Sequence, residues 1–151
     1  MKLNASVAAV CVDFDRADSP HVLSRSNFTF VAFDNGTDAA SGAPTLKPKP
    51  GLKARARGAA LRLDTARDGE REVRLGFLRT WSSGAVARVS CAPPCHCSLL
   101  MLSTHAEAHT STTAFESVPG GVRSPEGVSC QLELQLLTDA QPFKLVSMHV
   151  S

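Results

Sequence analysis

Three constellations in this 151-residue chain hold residue types that could do chemistry. The first is Asp18-Ser-Pro-His21, a carboxylate and an imidazole three apart, the spacing found in the closing part of a Ser-His-Asp relay. Such a relay needs a serine held against the base and donors for the oxyanion. No Gly-Asp-Ser and no Gly-x-Ser-x-Gly occurs in the chain, so Asp18 and His21 are catalytic candidates without a nucleophile. The second is His105-Ala-Glu-Ala-His109. On a helix its two imidazoles would share a face and could hold a metal, but the zincin order, with Glu directly after the first His, is absent. Along a strand they would lie about 13 Å apart and could not share an ion. The reading is therefore a polar strand end, and no metal or other cofactor is expected.

The third constellation is Cys91-Ala-Pro-Pro-Cys95-His96-Cys97, joined by the distant Cys130. In an oxidising compartment such spacing reads as disulfides, and in a reducing one as a metal or redox site. Four cysteines allow three pairings. A Cys95–Cys97 ring would be strained, whereas a bond from this turn to Cys130 would stabilise the fold by roughly 3–4 kcal/mol. The zinc alternative would use these thiols with His96 or His105. It has one Cys knuckle and a lone partner where structural zinc sites show two knuckles. Disulfides among Cys91, Cys95, Cys97 and Cys130 are expected, with Cys11 left over.

All three asparagines lie in glycan-acceptor sequons: Asn4-Ala-Ser6, Asn27-Phe-Thr29 and Asn35-Gly-Thr37. Sequons and cysteines together point to the secretory-pathway lumen, the extracellular space or the cell surface. No signal or anchor is evident: the run Val7–Val12 is too short for a signal-peptide core, and nothing approaches the roughly 20 apolar residues of a membrane span. For a secreted protein the expectation is then a fragment of something longer. A net charge of +2, from 16 basic and 14 acidic residues, argues against nucleic acid as the partner. One Trp and no Tyr argue against a single-strand stacking platform.

The elements that must position these groups are short. Phe28–Phe33, Val73–Leu78, Ala85–Cys91, Leu99–Leu102, Leu132–Leu136 and Phe143–Val150 read as strands, separated by Gly, Pro and Asp turns. In the last of these, Leu145, Ser147 and His149 are expected on one face. No segment carries a capped helical stripe. Val7–Phe14 reads as an edge strand and Asp15–Ser26 as a loop. Asp34–Gly58, with its prolines and with Lys47, Lys49, Lys53, Arg55 and Arg57, reads as a long basic loop. The fold expected is all-β: an antiparallel β-sandwich or jelly roll of roughly seven to nine strands, braced by disulfides. Residues 1–26 form an N-terminal segment and 27–151 the sandwich domain. Arg79, Trp81 and Arg88 flank a Ser-Ser-Gly turn and are the ligand candidates, with Trp81 the sugar-stacking ring.

Gly58–Leu63, Leu75-Gly-Phe-Leu-Arg-Thr-Trp81, the Cys91–Cys97 cluster, Cys130–Leu134 and Phe143–Val150 resemble, in order and spacing, the C-terminal region of a known family. This is the plant and green-algal family of SGNH/GDSL-hydrolase-like proteins, type II membrane or secreted. Phe77 and Trp81 stand where that family has tyrosines, and the hydrolase blocks have no counterpart here. The resemblance implies a non-catalytic sandwich that accompanies a hydrolase-like module and contacts glycan or that module. Two alternatives differ in class. One is the C-terminal fragment of an esterase acting on acyl esters, with Asp18 and His21 as remnants. The other is an interaction domain that docks through the basic loop.

Overall fold

Alternation of the Leu132-Glu-Leu-Gln-Leu136 kind puts apolar side chains on one face of an extended chain, and two such faces must cover each other. The structure, a computed structural model, shows that outcome. It describes residues 9–37, 44–81, 83–107 and 111–151, with 33–37 and 44–48 as backbone only. Among the described residues every regular element is a strand, fourteen in all: β1 (Val10–Asp13), β2 (Val22–Ser26), β3 (Thr29–Thr37), β4 (Pro44–Ala54), β5 (Ala60–Asp64), β6 (Gly69–Arg71), β7 (Val73–Thr80), β8 (Val86–Ala92), β9 (His96–Cys97), β10 (Leu100–Ser103), β11 (Ser111–Ser117), β12 (Val122–Ser124), β13 (Gln131–Leu136) and β14 (Phe143–Val150).

These strands form two facing antiparallel sheets. The first runs β11-β7-β14-β4-β3, with β1 also on β14; the second runs β10-β8-β13-β5-β2. A small third sheet, β6-β12-β9, lies beside them. Between the main sheets are Leu61, Leu63, Leu75, Val89, Leu132, Leu134 and Leu145, all buried. Phe143 sits among them, stacked on Phe77 at 6.0 Å and edge-on to Phe28 at 6.4 Å. No helix among the described residues is long and apolar enough to cross a membrane.

The all-β, disulfide-braced sandwich is as expected, but it has more strands than the expected seven to nine. The additional elements are mostly pieces of two to five residues, too short to show a periodicity of their own. Asp15–Ser26 is not all loop, because Val22–Ser26 forms β2 on the edge of the second sheet. The expected basic loop is mostly two strands, β3 and β4. Pro50 sits in a bulge of β4, and Pro44 and Pro48 lie where β4 is paired with β3 and not with β14. Val31 faces Gly51 and Phe33 faces Pro48, so Lys49 and Pro50 together oppose Ala32. Lys47, Lys49 and Lys53 therefore lie on a strand, and only Arg55 and Arg57 follow it in a connection.

The cysteines pair as Cys91–Cys97 and Cys95–Cys130. The first closes the turn between β8 and β9; the second ties that turn to the start of β13. The two bonds pack together, with the Cys91 and Cys130 sulfurs 3.9 Å apart. That packing also brings the sulfurs of Cys91, Cys95 and Cys130 within 4.8 Å of one another. Each thiol is consumed by a disulfide, which sets the zinc alternative aside. Cys11 is unpaired and exposed.

Candidate functional site

The outward face of the first sheet carries a group of side chains that the core does not explain. On β7 the inward residues are Val73, Leu75 and Phe77, so Arg74, Gly76 and Leu78 point out. On β11, Phe115 pairs with Gly76 and stands 48% exposed. A Cβ at Gly76 would lie 2.9 Å from the Phe115 ring and 2.3 Å from the Ser147 hydroxyl. The absent side chain is what lets the ring lie flat against the sheet. The Arg74 guanidinium sits over that ring at 5.1 Å, and the His149 imidazole stacks beside it at 5.9 Å. Arg74 Nη2 donates to His149 Nδ1 at 3.0 Å. In the neutral imidazole this leaves Nε2 as a donor. The result is an apolar ring held in place and bordered by donors.

A hollow of about 400 Å³ adjoins this platform, with Thr113 two residues from Phe115 on the same face of β11. Its origin lies in β14. One edge of that strand follows β7 from Leu145 to Val150, while the other is covered by β4 over Phe143–Leu145 and by β1 over Ser147–Val150. At the changeover Val146 is an extra residue, a bulge. The hollow opens where the covering strands meet. Asp13 and Asp15 line it from the β1 side, Lys49 and Pro50 from β4, Lys144 and Val146 from β14, and Leu78 from β7. Lys144 is only 3% exposed. Its side chain passes over Gly51, where a Cβ would come within 2.6 Å, and its ammonium donates to the Lys49 carbonyl at 2.8 Å. That carbonyl belongs to the bulge of β4. The Lys49 ammonium in turn donates to Ser111 Oγ at 3.4 Å. The hollow thus presents apolar walls with two ammoniums and two carboxylates at matched charge.

The bulge also corrects an expectation for β14. Ser147 and His149 point outward, but Leu145 points into the core with Met148 and Val150, because the alternation slips by one residue at Val146.

The residues singled out in the sequence fall elsewhere. Arg79 is on the first sheet, over Phe77 at 5.4 Å, with Nη2 3.6 Å from Glu116 and Nε donating to the Ser103 carbonyl at 3.3 Å. Trp81 follows β7 and is 49% exposed. Arg88 is on the second sheet and donates to Gln135 Oε1 at 2.7 Å. Arg79 and Arg88 are thus on different sheets. Asp18 is exposed beside Arg16, at 3.6 Å. The Nδ1 atom of His21 meets the Asp64 carbonyl at 2.7 Å, and its backbone amide donates to Ser19 Oγ at 3.4 Å. Among the described residues the His21 ring is bonded to a backbone carbonyl and Asp18 to an arginine, and neither side chain is hydrogen-bonded to a nucleophile. Asn27 is exposed in the turn between β2 and β3, at a positive φ of 60°. Asn4 and His109 lie outside the described residues, as does the side chain of Asn35.

Sequence reasoning missed Phe115, Arg74 and the Lys144 hollow. Two signals were present: a glycine inside the apolar strand Val73–Leu78, and a lysine inside the apolar run Phe143–Val146. Each marks a place where a strand departs from simple alternation.

No protein-family model and no curated protein matches this sequence. Among solved structures the chain is similar to a two-domain esterase (CEX) active on acetylated mannans and co-crystallised with mannopentaose. The TM-score is 0.55 at 16% identity, covering 93% of this chain and 35% of that one. It is also similar to the C-terminal CBM6 of a marine laminarinase from Zobellia galactanivorans, with TM-score 0.53, 7% identity, and coverage of 95% and 99%. A third is a carbohydrate-binding module from Cellvibrio mixtus lichenase 5A in complex with cellotriose, with TM-score 0.52, 10% identity, and coverage of 94% and 95%. The chain spans about a third of the length of the esterase and nearly all of each binding module. At these identities the likeness is one of fold, an antiparallel β-sandwich.

Proposed function

We propose that this domain is a non-catalytic glycan-binding β-sandwich of a secretory-pathway or extracellular protein, and that it binds through the outward face of the first sheet. The observation that carries the reading is Phe115, a half-exposed ring seated on Gly76 and bordered by Arg74 and His149. A pyranose presents one face of C–H groups and a rim of hydroxyls, and it needs an aromatic ring with polar groups around it. The adjoining hollow supplies further donors and acceptors. Likeness of fold to carbohydrate-binding modules supports the reading.

Two disulfides favour an oxidising compartment, and exposed Asn27 is available there as a glycan acceptor. The resemblance of residues 58–151 to the SGNH-hydrolase-like family, together with the two-domain esterase, supports a place beside a hydrolase-like module, as its accessory domain. His21, turned onto a backbone carbonyl, gives the esterase-fragment alternative no support.

Affinity electrophoresis through gels containing glucomannan, xylan or laminarin tests the reading. The protein is expected to be retarded by at least one of these polysaccharides. Phe115→Ala should abolish the retardation while leaving the melting temperature within a few degrees, because the ring is outside the core. Migration unaffected by every polysaccharide would overturn the reading.

A further inference from the structure

We infer that the hollow at the β14 bulge receives an acetyl group carried on the bound saccharide. This rests on the glycan-binding reading and names the chemistry of one part of the ligand. The hollow has a mixed character that a bare sugar ring does not match. Leu78, Val146 and Pro50 give it apolar walls, while Lys49 and Lys144 bring ammoniums and Asp13 and Asp15 bring carboxylates. A free hydroxyl pushed against Leu78 and Val146 would leave water without a full set of partners, which is costly. A carboxylate or sulfate would gain from the lysines but meet two aspartates at the same opening. An acetyl group fits all three features. Its methyl takes the apolar wall, its carbonyl oxygen accepts from an ammonium, and the ring hydroxyls beside it donate to Asp13 or Asp15. Lys144 suits this role because it is buried, held by the Lys49 carbonyl, and has little rotamer freedom left to lose on binding. A hollow of about 400 Å³ has room for the substituent together with part of its ring. Phe115 lies next to it, so one sugar can stack while the substituent of that sugar or its neighbour enters the hollow.

Isothermal titration with the intact protein tests this, using acetylated glucomannan, the same polymer after saponification, and a chitotetraose whose acetyl groups are on nitrogen. Binding to the acetylated polymer is expected to be tenfold or more tighter than to the saponified one. Lys49→Met and Leu78→Gln, both at half-exposed positions, should reduce that preference to about twofold while leaving the melting temperature within a few degrees. Tight binding of chitotetraose with no preference between the two glucomannans would support the acetyl pocket and assign it to N-acetyl sugars. Equal binding of both glucomannans with no binding of chitotetraose would overturn the acetyl inference and leave the glycan reading standing. Absence of binding to all three, with the fold intact by circular dichroism, would overturn the acetyl inference, and it would overturn the glycan reading as well if xylan and laminarin also failed to retard the protein.

Discussion

Gly76 illustrates how a single missing side chain can build a surface. It sits in the middle of an otherwise apolar strand, where glycine costs stability and gives nothing to the core. What it provides is clearance for Phe115 and for the Ser147 hydroxyl, both of which would collide with a Cβ. Gly76→Val is therefore expected to lift the ring off the sheet. Glycan affinity should fall at least tenfold, and the stability cost should stay near 1–3 kcal/mol because the clash is on the outer face. Calorimetric titration and thermal melting separate the two effects. Unchanged affinity in this variant would mean the ring's position does not matter. Trp81 provides the contrast at the same scale. It is as exposed as Phe115 and was the ring that sequence pointed to, since tryptophan beside polar residues is a familiar sugar contact. Trp81→Ala is expected to leave affinity within twofold, which the same titration reads. Phe115 was illegible from sequence because it sits in the polar strand Ser111–Ser117, and its importance comes from a glycine 39 positions away that only pairing reveals.

The candidate site also depends on two bulges. One, at Lys49 and Pro50, holds the carbonyl that receives the Lys144 ammonium; the other, at Val146, lies where the outer edge of β14 passes from β4 to β1. Together they open the hollow and place Lys144 in it. Alternation alone put Leu145 on one face with Ser147 and His149, and it erred because a bulge shifts every later side chain; Lys144, inside an apolar run, was its mark in the sequence. The prolines in β4 were such a mark but were read as loop signals, whereas their lack of N–H is equally compatible with a bulged strand. The disulfides act at the same level but away from the site, joining β8, β9 and β13. Cys95–Cys130 closes 35 residues and Cys91–Cys97 only 6. Loop-closure arithmetic gives about 4 kcal/mol for the first and about 2 kcal/mol for the second. Replacing Cys95 and Cys130 by alanine should therefore lower the denaturation midpoint more than replacing Cys91 and Cys97. The opposite order in urea titrations would show that the short bond carries strain or packing that the entropy does not count.

For the whole molecule, the fold class was legible because it depends on short-range patterning. Leu132–Leu136 and Val73–Leu78 declare themselves as strands, turn residues separate them, and no helical period competes. Sheet order was not legible, since β14, at the end of the chain, pairs with β1, β4 and β7, partners spread between Val10 and Thr80. For the same reason the face that gathers Phe115, His149, Lys144 and Asp13 could not be assembled by spacing. The sandwich buries one side of each sheet and leaves two outward faces. The second sheet uses its face largely for internal pairs such as Arg88 with Gln135 and Arg62 with Glu133. The first sheet offers the aromatic ring and the hollow. A protein built this way should bind on one face only and keep its fold without ligand. The most direct test is calorimetric titration of the intact protein, alongside Phe115→Ala, with an oligosaccharide of the polysaccharide that retards it in affinity gels. The account predicts one binding event per chain, with an affinity in the micromolar to millimolar range, that the substitution removes while the melting curve stays in place. Binding of equal strength in the folded variant would contradict it and move the site off the first sheet.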